Sequence, residues 1–294
     1  MAISIAFIGL GNMGGPMAAN LVKAGYGVKG FDLSQESREA AAVTGISVAS
    51  NAAEAVAEAD VVVTMLPAGR HVLAVWQDLT AALKPGTLLI DCSTIDVDSA
   101  RQAHVLAKAA GCRSLDAPVS GGTVGAAGAT LTFMVGGDGD AFERGEPVLQ
   151  AMGKRIVHCG DAGAGQAAKI CNNMILGITM AGVCEAFVLG EKLGLSHQAL
   201  FDVASTSSGQ CWSLTTYCPV PGPVPTSPAN NGYKPGFAAA LMLKDLKLSQ
   251  EAADAAGATT EMGAHAAKLY ERFAEGGHGG EDFSGLINFL RENA

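Results

Sequence analysis

The sequence is short of several things, and each shortage removes a class of function. Its 294 residues carry 19 Lys and Arg against 28 Asp and Glu, a net charge of −9 with a pI near 5.1. So acidic a chain offers no electrostatic footprint for nucleic acid or an anionic membrane, and neither is expected as a partner. Seven cysteines (92, 112, 159, 171, 184, 211 and 218) form no Cys-x-x-Cys pair, their number is odd, and several lie in apolar runs. They read as reduced thiols used as small hydrophobes, which suits a cytoplasmic protein. Six scattered histidines form no His-x-x-x-His pair and no Cys/His cluster, so no metal site is expected. No charged-then-apolar signal segment opens the chain.

A long membrane-type run is also missing. Apolar residues make up 49% and mean hydropathy is +0.26, high enough to raise the question. The uncharged run Ile170–Cys184 contains Asn172 and Asn173 and falls short of the ~18–20 residues that span a bilayer. The length leaves room for two domains, each with its own core.

What is present begins with a strand-like run, Ile3–Ile8, then Gly9-Leu-Gly11-Asn12-Met13-Gly14, then a helical stretch to Ala24. Strand, glycine turn and helix in that order fit G-x-G-x-x-G. One glycine serves the tight turn, one the close approach of a pyrophosphate, one helix-on-strand packing. The helix N-terminus offers N–H groups and a positive dipole end to phosphate. A second strand, 27–31, ends at Asp32, where a carboxylate accepts from adenosine ribose hydroxyls and repels a 2′-phosphate. NAD is therefore expected over NADP; the alternative is an Asp that only caps a turn. Strands at 60–66 and 87–92 end at Leu66-Pro67 and Ser93-Thr94. Strand carboxyl ends in open α/β sheets flank ligands, although Ser93-Thr94 also reads as turn and N-cap residues. Next, Asp116-Ala-Pro-Val-Ser120-Gly121-Gly122 is either a backbone nest for an anion or an ordinary loop. A strand at 130–135, a helix at 142–152 and a strand at 155–158 close a first domain, 1–162.

A second domain, 163–294, opens with Gly163-Ala-Gly165-Gln-Ala-Ala-Lys169-Ile-Cys-Asn172-Asn173 and continues as an apolar segment to Gly194. Apolar residues all round predict a helix buried on every side. Lys169 and Asn173 share one face, one turn apart. A buried ammonium costs several kcal/mol unless paired or deprotonated, so Lys169 reads as a functional base or as a snorkelling lysine near a helix end. Residues 205–236 hold six of eleven prolines and show no periodicity; Trp212 and Tyr217 within them point to order and to a pocket or interface. Helices follow at 237–255, 259–274 and 283–292. The expected class is α/β, a Rossmann-type doubly wound sheet domain followed by an all-α domain.

Together these segments resemble the β-hydroxyacid dehydrogenase family across essentially the whole chain. The residues at 7–14 look like its cofactor signature, 116–122 like its substrate loop, Gly163-x-Gly165-x-x-x-Lys169-x-x-x-Asn173 like its catalytic motif, and Lys244-Asp245 like its C-terminal pair. Ser93-Thr-Ile-Asp96, Pro219–Pro223 with Ser227–Asn231, and Asp282-Phe-Ser284 are similar to the branch that oxidises 3-hydroxyisobutyrate in valine breakdown. Branches reducing tartronate semialdehyde or glyoxylate, or oxidising serine, share the four core motifs.

The resemblance implies hydride transfer between nicotinamide C4 and the alcohol carbon of a short 3-hydroxy acid, with Lys169 moving the hydroxyl proton. For that role the lysine pKa has to fall from ~10.4 toward ~7–8. Asn173 is implied to bond Lys169 or the substrate oxygen. Ser120, Gly121 and Gly122 are implied to hold the carboxylate, with Trp212, Tyr217 and Asp245 also on the substrate side. Gly9, Gly11, Asn12, Met13, Gly14, Asp32, Leu66, Pro67, Thr94 and Lys244 are assigned to NAD. A homodimer or homotetramer is expected. A non-catalytic NAD-binding regulator is the rival of a different class, set aside because Lys169 and Asn173 are both present.

Overall fold

The computed structural model describes residues 3–293, so the outermost residues of the two expected domains (1–2 and 294) lie outside it. Its strands are β1 Ser4–Ile8, β2 Gly27–Phe31, β3 Ser47–Val48, β4 Val61–Thr64, β5 Leu88–Asp91, β6 Arg113–Asp116, β7 Val119–Ser120, β8 Leu131–Gly136 and β9 Gly153–Gly160. Seven helices lie among them: α1 Gly14–Lys23, α2 Gln35–Ala42, α3 Ala52–Val56, α4 Gly69–Thr80, α5 Val97–Ala109, α6 Gly122–Ala127 and α7 Gly139–Gln150. The remaining helices are α8 Ala164–Lys192, α9 His197–Ser205, α10 Trp212–Thr215, α11 Ala239–Ala256, α12 Glu261–Phe273 and α13 Leu286–Glu292. The α/β expectation, with a helical part after it, holds.

The strands form one sheet in the order β3-β2-β1-β4-β5-β6-β8-β7, with β9 paired to β8. Pairing is parallel from β3 through β6, antiparallel between β8 and both β6 and β7, and parallel again between β8 and β9. The reversal of strand order at β1 puts a crevice beside the carboxyl ends of β1 and β4, where dinucleotides bind in this topology. Alternate residues of a strand face opposite sides. Ile5, Phe7, Val61, Val63, Leu88 and Ile90 accordingly pack with α1 and α7, while Ala6, Ile8, Val62 and Leu89 pack with α3, α4 and α5.

By packing, the chain divides into two compact units, one ending at Lys169 and the other starting at Ile170. The sequence reading starts its second domain at Gly163. The difference is the first turns of α8, whose backbone is hydrogen-bonded to β6 of the sheet unit. In the second unit Met180, Cys184 and Phe187 of α8 pack with Met242 and Leu246 of α11, Tyr270 and Phe273 of α12, and Phe283.

Two sequence expectations need correction. Helix α8 is not buried on every side: Ile175 and Leu189 are each 60% exposed, while Asn173, Gly177, Met180, Cys184 and Phe187 are buried. Its Ala, Gly and Cys residues are apolar on all faces without saying which face is covered. As a 29-residue helix it is also long and apolar enough to cross a bilayer by length and composition, which the shorter uncharged run concealed. Residues 205–236, aperiodic in sequence but expected to be ordered, contain α10 and a 3₁₀ turn at Pro228–Asn231. Sequence reading also passed over α2, α4, α6 and β7. For α4 a signal was available: Val72, Trp76 and Leu79, all buried, stand at i, i+4 and i+7.

Candidate active site

The glycine turn after β1 has the three roles its pattern implies. Gly9 has φ +96°, and a Cβ there would lie 2.3 Å from the Met65 carbonyl oxygen. At Gly14 a Cβ would collide with the Gly9 carbonyl and reach within 3.0 Å of the Phe7 ring. Nothing stands within 4 Å of a Cβ built on Gly11, so that side of the turn is open to a pyrophosphate. No side chain caps α1 at Met13, but within its first turn the Gly15 N–H donates to the Gly11 carbonyl at 3.0 Å and Pro16 has no N–H, so an anion meets the glycine turn and the helix dipole, not a full set of first-turn donors. Gly11 and Asn12 are exposed, and Met13 is half-buried against the sheet core.

Asp32 lies at the end of β2, half-buried. Its Oδ2 accepts from the Leu10 N–H at 2.7 Å and its Oδ1 from the Ser34 N–H at 2.7 Å. It therefore holds the glycine turn as well as its own. A carboxylate has about four acceptor sites, so two donors leave capacity for ribose hydroxyls. Glycines, uncapped helix and carboxylate fit a dinucleotide.

The neighbouring strand ends are stitched together. The Ser93 hydroxyl donates to Asp91 Oδ1 at 2.6 Å and accepts the Leu66 N–H at 2.8 Å. Thr64 also donates to Asp91 Oδ1, at 2.7 Å, and takes the Trp76 indole N–H at 3.3 Å. Ser93 is fully buried, whereas Thr94 and Leu66 are half-buried and Pro67 is exposed. The cap of α5 is Asp96, not Ser93 or Thr94, with the Ser99 N–H on its carboxylate at 2.7 Å. Burial pushes the Asp91 carboxyl up to about 6 against the pull of the two hydroxyls, and its Oδ2 has no hydrogen-bond partner.

The motif Gly163-x-Gly165 is explained by Asp116. This carboxylate, 2% exposed, accepts the Gly163 N–H on Oδ1 at 2.8 Å and the Gln166 N–H on Oδ2 at 2.9 Å, capping α8 from the end of β6. His104 Nε2 meets Oδ1 at 2.9 Å, and its Nδ1 meets the Ser114 hydroxyl at 2.7 Å. A Cβ on Gly165 would stand 2.6 Å from the Asp116 carbonyl oxygen and 2.8 Å from Oδ2; one on Gly136 would stand 2.5 Å from Oδ1. Neither position has room for a side chain: beside Asp116, a Cβ on Gly165 would meet the Met134 carbonyl at 2.4 Å and one on Gly136 the Gly165 and Ala164 backbone nitrogens at 2.7 and 2.8 Å. Lys169, 6% exposed, follows in the next turn. Ser120 ends β7, and Gly121 and Gly122 have φ of +135° and +60° at the start of α6, backbone that favours glycine.

In the second unit Asn173, 2% exposed, donates its side-chain amide to Asp245 Oδ2 at 2.5 Å and accepts on Oδ1 from Asn172 at 2.9 Å. Asp245 is 3% exposed, and the Lys244 ammonium lies 3.5 Å from its Oδ1. Trp212 is 49% exposed and stacks on Tyr217 with ring centroids 4.9 Å apart. The Tyr217 hydroxyl donates to Asp282 at 2.8 Å. Burial and the Asp282 charge raise its pKa, so it stays a donor and is no candidate base.

Comparison with known proteins agrees with this layout. Residues 4–160 match the model for the NAD-binding domain of 6-phosphogluconate dehydrogenase, and residues 163–290 that for the NAD-binding of NADP-dependent 3-hydroxyisobutyrate dehydrogenase. A probable 3-hydroxyisobutyrate dehydrogenase of Mycobacterium tuberculosis is 57% identical over 291 residues, 99% of each chain. The chain belongs to the 3-hydroxyisobutyrate dehydrogenase branch of the β-hydroxyacid dehydrogenases. The solved Mycobacterium tuberculosis 3-hydroxyisobutyrate dehydrogenase with L-serine superposes at a TM-score of 0.96, with 57% identity over 99% of this chain and all of that one. An NAD-dependent L-serine dehydrogenase of Pseudomonas aeruginosa is 50% identical over 283 residues, 95% of each chain. Like the family's other members, this β-hydroxyacid dehydrogenase carries an NAD-binding domain. Sequence reading missed the parts played in it by Asp91, His104 and Gln166, whose partners lie up to 73 residues away. A signal existed for Asp91, a charged residue ending the apolar strand Leu88–Asp91.

Proposed function

We propose that the chain oxidises 3-hydroxyisobutyrate to methylmalonate semialdehyde with NAD, as a step of valine breakdown. The observation that carries this is Lys169, buried one turn beyond a helix end clamped by Asp116, with buried Asn173 one turn further along. Full-length identity of 57% to a probable 3-hydroxyisobutyrate dehydrogenase supports the substrate. Residues 1–162 are assigned to NAD and residues 163–294 to the substrate and to self-association.

Bound NAD supplies the hydride acceptor at C4 of its nicotinamide. Gly9, Gly11, Asn12, Met13 and Gly14 hold its phosphates, Asp32 its ribose, and Leu66, Pro67, Thr94 and Lys244 its remaining edges. Ser120, Gly121 and Gly122 hold the substrate carboxylate. The neutral amine of Lys169 takes the hydroxyl proton during oxidation and returns it during reduction. One Asn173 amide N–H is given to Asp245, and the other is assigned to the substrate oxygen. Asp245 thus acts by fixing Asn173, and Trp212 and Tyr217 contribute ring surface. A homodimer or homotetramer is supported by the exposed apolar side chains Ile175, Leu189 and Val203. A cytoplasmic setting is supported by the acidic pI and the unpaired cysteine pattern.

L-Serine is the second reading, favoured by the 50% identical L-serine dehydrogenase and by the L-serine in the solved relative. It differs from 3-hydroxyisobutyrate only by an ammonium in place of a methyl. NADH formation with 3-hydroxyisobutyrate, L-serine and D-glycerate ranks the substrates, and a kcat/KM for serine above that for 3-hydroxyisobutyrate overturns the first reading. Lys169→Ala is expected to fold and bind NADH but lose about 10²–10⁴-fold in turnover. Turnover within about threefold of the wild type in the NADH-loaded variant sinks the proposed acid–base role.

A further inference from the structure

Gln166 has no part in the chemistry assigned above, yet it is fully buried in the first turn of α8. Its side-chain Nε2 donates to the Ser93 carbonyl at 2.7 Å, and its Oε1 accepts the Ile95 N–H at 3.1 Å. Its backbone N–H is held by Asp116. A carboxamide places an uncharged donor and acceptor side by side at the end of one side chain at any pH, which is what a carbonyl and an N–H two residues apart require. The loop it grips is itself fastened to the end of β4, because the Ser93 hydroxyl accepts the Leu66 N–H. One side chain thereby registers the loops after β4 and β5 against the helix turn that leads to Lys169.

We infer that Gln166 is a positioning residue for the oxidation: it locks the loop Ser93–Ile95, at the edge of the cofactor crevice, to the turn of α8 that presents Lys169. The inference rests on the reading of Lys169 as the acid–base and of that loop as a cofactor edge. A buried amide that only satisfied two backbone groups would affect stability alone. A registering amide sets the distance between the hydride acceptor and the alcohol held by Lys169, and a misplacement of about 1 Å there costs on the order of a hundredfold in rate.

The test compares wild type, Gln166→Met and Gln166→Glu. The methionine keeps length and burial but leaves the Ser93 carbonyl and Ile95 N–H unpaired. Glutamate keeps the shape and the acceptor for Ile95 and, assayed at alkaline pH so that its carboxyl is ionised, sets a carboxylate against the Ser93 carbonyl. NADH affinity is read by fluorescence, kcat and KM with the best hydroxy acid, and the primary deuterium effect on kcat with substrate deuterated at the alcohol carbon. Expected for folded Gln166→Met are NADH affinity and acid KM within about threefold of wild type, kcat about 10–100-fold lower, and a larger deuterium effect. A folded variant with kcat within about twofold of wild type and an unchanged deuterium effect overturns the inference, as does NADH affinity that falls in step with kcat. If Gln166→Met fails to fold, Gln166→Glu is judged by the same outcomes. Lys169→Ala separates the two layers. If it retains turnover, the underlying reading fails. If it is inactive while both Gln166 variants match wild type, the inference alone fails.

Discussion

Two turns of the sheet unit are built on the same device and used differently. At the carboxyl end of β2, Asp32 accepts the Leu10 N–H of a glycine turn. At the carboxyl end of β6, Asp116 accepts the Gly163 and Gln166 N–H groups of another. In each case a carboxylate from a neighbouring strand holds glycine-bearing backbone that a side chain would crowd. The difference is exposure. Asp32 is half-buried and retains acceptor capacity toward solvent, whereas Asp116 is 2% exposed and its remaining contact is His104. The first can hold a turn and a ligand together; the second can only hold a turn. A motif resemblance that places Asp116 in a substrate loop does not separate these roles, and burial does.

The comparison is tested hardest at Asp116. Asp116→Asn keeps the shape but replaces one acceptor oxygen with a donor facing the α8 N–H groups, leaving one of them unpaired in a buried site. The loss is expected to be ~1.5–3 kcal/mol, seen as a lower Tm. Because the turn leads directly to Lys169, kcat is expected to fall about 10–100-fold with NADH affinity nearly intact. Weakened NADH binding with unaltered kcat would mean that Asp116 serves the cofactor, and the contrast with Asp32 would collapse.

Asp32 comes next. Alanine here removes the ribose acceptor and the clamp on Leu10 at once, so Asp32→Asn is the cleaner probe. The asparagine oxygen still accepts the Leu10 N–H, its amide turns toward the Ser34 N–H in a half-buried site where water can take up that donor, and the charge that repels a 2′-phosphate is gone. A loss of about ten- to a hundredfold in NAD-over-NADP selectivity is expected, measured as the ratio of kcat/KM values. An unchanged ratio would make Asp32 a turn clamp only, equivalent to Asp116 in everything but exposure.

How much was legible in the sequence follows the range of the interactions. The β1 strand, glycine turn and α1 are specified within about twenty residues, and their order is visible without any partner. Lys169 and Asn173 were legible for the same reason, sharing one helix face. Asp116 stood in plain view, but its partners Gly163 and Gln166 are 47 and 50 residues away, and nothing local distinguishes a helix cap from a ligand contact. Gln166 bonds Ser93 across 73 residues and Asn173 bonds Asp245 across 72. The exposed face of α8 was hidden by its composition, since hydropathy reports what a side chain tolerates and not what covers it. The stripe Val72, Trp76 and Leu79 on α4 was readable by period alone and was passed over.

The smallest effect expected sharpens the comparison with a third carboxylate at a strand end, Asp91, which is buried like Asp116 but holds hydroxyls instead of a helix. Its carboxyl is pushed up to about 6 from an ordinary 3.8. A carboxyl with a raised folded-state pKa holds its proton more tightly in the folded chain. Its favourable contribution is complete below the unfolded value and is lost as pH rises through about 6. Two pKa units correspond to about 3 kcal/mol, an upper bound because the Thr64 and Ser93 hydroxyls can reorient. Asp91→Asn keeps an oxygen for those two hydroxyls and removes the charge. The variant is expected to match wild type near pH 4 and to be the more stable near pH 8, by about 1–3 kcal/mol, with NADH binding within about twofold. Urea midpoints measured from pH 4 to 8 on both proteins decide it. If the difference between them does not grow with pH, Asp91 is neutral across the range or is held ionised by a partner. Buried carboxylates at these strand ends would then be alike in cost, and exposure would no longer be what separates Asp32 from the others.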